Sequence, residues 1–308
     1  MRPHCIQPTI RWRGKIIRYK SWIAGAVFVA ALIVLFLHLS ANNMEFSRYN
    51  TGWNGTSAFF SDLDRDNTVD IFDPGTLTGH PGNTTLLIIA PRRQPTTEEI
   101  AGYKAFLSEG HMIFLADDFG TGNEILSGIG SHITITHVNL SSLDRQYSDP
   151  YMIVAYPSSE ESPLALPPDI ALNGAAPLDG GSPLILTSVM SWTDSNIDKR
   201  LNRDENIGTF PVMSKESIGS GQIVVLSDPS IFTNTMYTQP ENANNRNVIH
   251  NLTSRDGPVL IDQMNSRTAD AGGLSEILHV IRNTVVIEVS LFCLLMLVIA
   301  WAWKKKTI

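Results

Sequence analysis

Between Leu86 and Asn123 the apolar positions fall into three blocks with two different periods. Leu86 to Ala90 is an unbroken apolar run, the pattern of a strand buried on both faces. Pro91 and Pro95 bracket a loop, and Thr96 precedes Glu99 by three, the spacing at which hydroxyl and carboxylate satisfy each other's free amides as a capping box. Ile100, Tyr103, Phe106 and Leu107 then recur on one helical face, and Gly110 ends the run where a left-handed closing residue is wanted. His111 to Ala116 is the next apolar run. Two buried strands joined by a helix lie parallel through a right-handed crossover, so this pattern predicts the centre of an α/β sheet.

Weaker patterns surround that unit. Thr51 to Leu63 reads as a loop and a short helix with Thr56 or Ser57 as its cap, and Val69 to Phe72 as an edge or second strand. A helix is expected over Gly122 to Ile129, and alternating residues predict a strand from His132 to Val138. From Ser141 to about Gly181 the Pro, Ser and Gly content predicts short strands and loops. Further strands are expected over Pro183 to Trp192, Gly208 to Met213, Gln222 to Asp228 and Pro258 to Met264, with SKESIGSG as a hairpin connection. A helix is expected around Asn244 to Leu252. Gly272 and Gly273 read as a hinge, followed by a helical stripe at Leu274, Ile277, Leu278 and Ile281.

Two longer apolar stretches change the picture. Residues 22–39 are apolar except for His38, and at about 1.5 Å per residue they cover roughly 27 Å of hydrocarbon. A cleavable signal peptide competes with an uncleaved anchor there, although its apolar region is usually shorter. Residues 285–303 form the second stretch, interrupted by Glu288 and Ser290; Glu288 either snorkels outward, takes a proton or pairs with a partner helix. Arg18 and Lys20 precede the first stretch, and three lysines follow the second. By the positive-inside rule both basic tails, 1–21 and 304–308, are cytoplasmic, and a domain over 40–284 lies outside. Sequons at Asn54, Asn83, Asn139 and Asn251 all fall in that segment and make it a glycoprotein candidate.

Charge and cysteine narrow the function. Nine of the 23 basic residues sit in the tails, which leaves 14 between them against 29 acidic ones, near −15 for the domain. So acidic a body repels DNA and RNA, and no nucleic-acid partner is expected. The cysteines are Cys5 and Cys293, one in a tail and one in an apolar stretch, so the domain has neither a disulfide nor a thiol nucleophile.

At IIAPRRQPTTEEIAGYKAFLSEGHMIFLADDFGTGN, and again at GQIVVLSDPSIFTN and VLIDQMNSRTA, the chain resembles domain-of-unknown-function family 4350, uncharacterised membrane-anchored archaeal and bacterial proteins. That family resembles the class I glutamine amidotransferase-like fold, as do auxiliary proteins of gliding-motility ABC transporters. The resemblance implies a flavodoxin-like, mostly parallel sheet in an extracytoplasmic module, here flanked by one transmembrane helix at each end. It implies no activity, and no cysteine follows any strand in a nucleophile turn, where amidotransferases carry their thiolate.

In an open α/β sheet the residues just past each strand converge on one crevice. Here they are Arg92, Arg93, Asp117, Asp118, Asp228, Asn234 and Asp262, a set suited to a polar ligand. Their competing role is local: Asp117 or Asp118 as a helix cap, and Asp228 before Pro229 as the cap of a turn. Asp62, Asp64, Asp66, Asp70 and Asp73 follow a calcium-loop spacing, but Asn67 stands where the turn glycine belongs, and a solvated acidic turn is the plainer reading. His132 and His137 are an odd number of residues apart on a predicted strand and cannot share a metal. No metal site, cofactor or catalytic residue is assigned. The expected function is a non-enzymatic binding or accessory module, a subunit of a membrane complex; the alternative is an extracytoplasmic hydrolase using the strand-end carboxylates.

Overall fold

The computed structural model describes residues 43–269 apart from 119, 145 and 256. Both apolar stretches, both tails, the glycine hinge, the Leu274 to Ile281 stripe and Glu288 lie outside the described residues. In chain order the first elements are α1 (Ser57–Asp62), β1 (Thr68–Ile71), β2 (Thr85–Ile89), α2 (Thr97–Ser108), β3 (Met112–Ala116), α3 (Asn123–Ile129), β4 (Thr134–Ile135), β5 (Asn139–Ser142), β6 (Met152–Pro157) and β7 (Ile170–Asn173). They continue with β8 (Leu178–Asp179), β9 (Ser182–Thr187), β10 (Ser191–Asp194), β11 (Ile207–Gly208), β12 (Pro211–Ile218), β13 (Gly221–Leu226), α4 (Asn234–Thr238), α5 (Ala243–Thr253) and β14 (Val259–Asp262).

A nine-stranded sheet carries the fold in the order β1-β14-β2-β3-β13-β12-β9-β6-β7. Every residue of β2 and β3 is buried, as an unbroken apolar run requires. Successive residues of these strands face opposite layers. Leu87, Ile89, Phe114 and Leu226 meet Phe59, Phe232, Tyr237 and Val248 on the layer of α1, α4 and α5. Leu86, Ile88, Ile113 and Val225 meet Tyr103, Phe106, Ile125 and Leu126 on the layer of α2 and α3. Each such side chain contributes about 1.5–3 kcal/mol by burial, so the two layers make the sheet self-sufficient without a disulfide. The capping box at Thr96 and Glu99 is formed, and Gly110 has φ +89°.

The sheet is mixed rather than mostly parallel. β1, β14, β2, β3 and β13 are parallel, whereas β12, β9, β6 and β7 join antiparallel. The switch happens at Gly219 and Ser220, a two-residue turn with φ +60° at the glycine, because so short a link only allows an antiparallel return. SKESI therefore belongs to β12 instead of a loop.

Three other expectations are corrected. Pro183 to Trp192 is two strands in two sheets, since the chain turns at Ser188, whose carbonyl accepts the Ser191 amide; β10 pairs with β5 and β11. The strand expected over His132 to Val138 shrinks to β4, because side chains take its backbone groups: Asn123 bonds both the amide and carbonyl of Ile135, and Glu216 accepts the His132 amide. Thr56 precedes α1, but its hydroxyl donates to the Phe46 carbonyl and does not cap the helix.

Candidate functional site

The five parallel strands end on one edge of the sheet, where an α/β fold collects ligands. Arg93, Asp117, Asp118, Asp228 and Asp262 all stand within four residues of a strand's last position. That edge is crossed by the chain itself. Beyond β14, Ser266 bridges to Pro91, and its hydroxyl accepts the Ile89 amide at 3.0 Å. Asn265 accepts the Arg92 amide on its carbonyl at 2.9 Å and the Arg93 amide on Oδ1 at 3.3 Å. The Arg267 amide is shared between the carbonyls of Ile89 and Ala90 at 3.2 and 3.1 Å, and the Thr268 carbonyl accepts the Arg48 amide at 3.4 Å. Residues 263–269 thus lie over the end of β2.

Most of the predicted ligand residues hold the fold in place. Asp262 accepts the Met264 and Asn265 amides on Oδ1 at 2.7 and 2.8 Å and the Tyr103 hydroxyl on Oδ2 at 2.5 Å. Burial still raises its pKa to about 6 against those donors, and burial beside Asp262 pushes the Tyr103 hydroxyl upward. Asp117 Oδ2 accepts the Gly122 amide at 2.6 Å and fixes the turn that leads into α3; a Cβ at Gly122 would stand 3.0 Å from that oxygen. Asp228 takes the Ser230 amide at 2.7 Å and the Asn173 amide at 2.5 Å, joining the ends of β13 and β7, and burial raises it to about 6.

Arg93 grips Glu99 with both terminal nitrogens, at 2.5 and 3.0 Å, and donates to the Met264 carbonyl at 3.2 Å. The Glu99 hydrogen bond raises the guanidinium; burial works against Glu99, yet Arg93 and Thr96 hold it below the usual carboxylate range. Arg92 is exposed. Asn234 stands at the start of α4, where Oδ1 accepts the Ala58 amide at 2.8 Å and Nδ2 donates to the carbonyls of Asn50 and Gly52. It ties down the loop before α1.

Asp118 is the exception. Its Oδ1 is buried without a hydrogen-bond partner. Burial, then the charges of Asp228 and Asp117, raise its pKa to about 8, and Glu45 adds to the same effect. Asp117, Asp118 and Asp228 therefore share one neighbourhood. Among the described residues no group of three or more His, Cys, Asp or Glu side chains is arranged to hold a metal ion. The calcium-like loop is dispersed in the same way. Asp64 and Asp73 cap short 3-10 turns, Asp62 is held by Arg246 and Tyr237, and Asp70 by Arg48 and Gln263.

A second surface went unpredicted. On the small β5-β10-β11 sheet and its connections, Leu143, Val189, Met190, Leu201 and Ile207 are exposed, Val189 by 69%. Leu143 and Leu201 also line a cleft of about 630 Å³ with Trp192 and Tyr147. Isolated exposed apolar residues are ordinary; here Leu143 and Met190 are neighbours, the Leu143 amide donating to the Met190 carbonyl at 3.0 Å. The covering segment after β14 was missed too, although QMNSRT, a polar run directly after an apolar strand with neither Gly nor Pro, carried the signal.

A family model described as Domain of unknown function (DUF4350) matches residues 48–253. The sequence matches no curated protein. Among solved structures, the mmIFT52 N-terminal domain is 16% identical, with 59% of this chain and 81% of that one covered at a TM-score of 0.42. The β-galactosidase of Bacillus circulans sp. alkalophilus is 9% identical, covering 55% of this chain and 22% of its own at 0.33. That of the Antarctic haloarchaeon Halorubrum lacusprofundi is 12% identical, covering 56% and 22% at 0.31. This chain spans about a fifth of each β-galactosidase, and similarity this low transfers no function.

Proposed function

The chain belongs to the DUF4350 family of domains of unknown function, and we propose that it is a non-enzymatic binding or accessory module, held outside an archaeal cell membrane by one span at each end. The observation that carries this reading is the use made of the strand-end side chains. Asp117, Asp228 and Asp262 each accept backbone amides, and Arg93 is locked on Glu99, so the groups an α/β enzyme would offer a substrate are committed to turns and caps. A flavodoxin-like, amidotransferase-like reading of the fold draws on the parallel half of the sheet with helices on both faces, while no cysteine occurs in the sequence of residues 43–269. The exposed apolar residues of the β5-β10-β11 sheet are the surface by which such a module docks on a membrane-protein partner.

The test is affinity capture of the full-length protein from native membranes, with wild type beside Val189→Asp/Met190→Asp. The reading expects a stoichiometric membrane protein that the double variant loses and an Asp117→Asn variant keeps. Capture of nothing, or capture indifferent to the apolar surface, counts against it. A second reading, the extracytoplasmic hydrolase, draws on Asp118, whose raised pKa beside two other carboxylates is the arrangement of a general acid. It predicts a hydrolytic turnover abolished by Asp118→Asn, whereas the accessory module keeps its partner in that variant.

A further inference from the structure

Apart from the partly exposed Arg267, residues 263–269 are buried, yet their side chains are of the wrong kind for a permanent core. Gln263, Asn265, Ser266 and Thr268 are each at most 5% exposed. Of their buried atoms, Gln263 Oε1, Asn265 Nδ2 and Thr268 Oγ1 have no hydrogen-bond partner. Each of these groups forfeits the water it would bond in the open, and buried polar groups are otherwise almost always paired. The segment is held mainly by hydrogen bonds to the backbone of the β2 end, and its apolar contribution is confined to Met264 and Ala269. Lifting it would therefore hydrate orphaned polar atoms and remove only two apolar side chains of its own, Met264 and Ala269, from the interior.

The backbone beneath it is strained. Ala90, whose carbonyl receives the Arg267 amide, has φ +47°. A residue with a Cβ adopts that left-handed conformation only where its surroundings hold it there, and such positions concentrate at clamps and switches. By contrast β2 and β3 are apolar and paired with strands on both sides.

We propose that residues 263–269 are a displaceable strap that closes the strand-end crevice, so that the crevice is reached only when the strap lifts. Arg267 fastens the strap to the start of the domain through Glu45, at 3.5 Å, and Glu45 is also among the charges that act on Asp118. In sequence the strap runs on toward the apolar stretch at 285–303. Movement of that end of the chain then acts directly on the crevice; this last step rests on the two-span reading, and the strap itself does not.

Hydrogen exchange of the full-length protein in detergent, read by mass spectrometry on peptides from the strap and from β2 and β3, tests the proposal. The strap is expected to exchange at least about a hundredfold faster than the two strands, by local opening without global unfolding. Ser266→Ala, which removes the acceptor of the Ile89 amide, is expected to speed the strap about another tenfold, to free the Ile89 amide at the end of β2, and to leave the rest of β2 and all of β3 unchanged. Strap exchange at the rate of the strands overturns the proposal, as does a Ser266→Ala effect that is absent or spread equally over them. If that variant does not fold, Pro91→Cys/Ser266→Cys in a chain with Cys5 and Cys293 replaced by serine serves instead. Its oxidised form is expected to exchange at the rate of the strands and its reduced form fast; equal rates in the two forms overturn the proposal. The measurement uses no partner, so it fails or succeeds independently of the capture experiment.

Discussion

Asp118→Asn is expected to stabilise the protein at neutral pH and to leave its stability unchanged in acid. Burial, then the neighbouring Asp228 and Asp117, raise the Asp118 pKa from 3.8 to about 8. Below about pH 4 the carboxyl is protonated both folded and unfolded, and its titration contributes nothing. Between about pH 4 and 8 the folded protein holds a proton that the unfolded chain has released, so stability falls as pH rises; above about 8 the penalty is full and constant. At ~1.4 kcal/mol per pKa unit, the penalty at pH 7 is on the order of 4 kcal/mol. Asparagine keeps the shape and has no proton to gain. Thermal unfolding of both full-length proteins in detergent should place the variant on the order of 10 °C higher at pH 7 and level with wild type near pH 4. A difference of the same size at both pH values would mean that folding does not shift Asp118, and a variant less stable at pH 7 would mean that Asp118 is ionised and paired in the folded state; either result contradicts the raised pKa.

Three further outcomes follow from the same contacts. Tyr103→Phe removes the hydroxyl from Asp262 Oδ2 and leaves a buried oxygen unpaired; the expected loss is about 1–3 kcal/mol, and because Asp262 already stands at about 6 and rises further, unfolding curves should show the loss growing as pH increases. Asn234→Ala frees the loop before α1, with an expected loss of about 2–3 kcal/mol for its three backbone bonds; exchange should accelerate in residues 50–58 first, and uniform acceleration would contradict this role. Calcium titration by calorimetry at physiological salt should find no site tighter than millimolar, since Asp62, Asp64, Asp70 and Asp73 are held by separate partners; a micromolar site would require that loop to rearrange.

The parts of the fold legible in the sequence are those whose physics is local. Leu86 to Ala90 and His111 to Ala116 announce doubly buried strands by apolar runs alone, and Thr96 with Glu99 announces the start of α2, because a capping box needs only four consecutive residues. The antiparallel half of the sheet was legible only in part: the β12-β13 hairpin and the strand from Pro183 were expected, whereas β6 and β7 were not. Ile170–Asn173 and Met152–Pro157 are short, and their pairing depends on partners far along the chain. The strand at Thr134 was shortened by Asn123 and Glu216, side chains whose reach no periodicity records. The candidate site divides in the same way. Asp117, Asp118, Asp228 and Asp262 were singled out by their place after strands; the turn cap at Asp228 was foreseen as the local alternative and is formed, whereas the helix cap expected of Asp117 or Asp118 is not. What each carboxylate does depends on distant donors such as Tyr103 and Asn173, and on a segment after β14 that folds back over Ile89.

The claim on which the account turns is that the acidic domain lies outside the membrane while both basic tails lie inside. Trp53 is 73% exposed, so a cysteine in its place presents a thiol on the domain surface without disturbing the core. In intact cells expressing Trp53→Cys with Cys293 replaced by serine, a membrane-impermeant thiol reagent should label residue 53 at once and Cys5 only after lysis. Labelling of Cys5 in sealed cells while residue 53 stays protected would invert the topology and contradict the account.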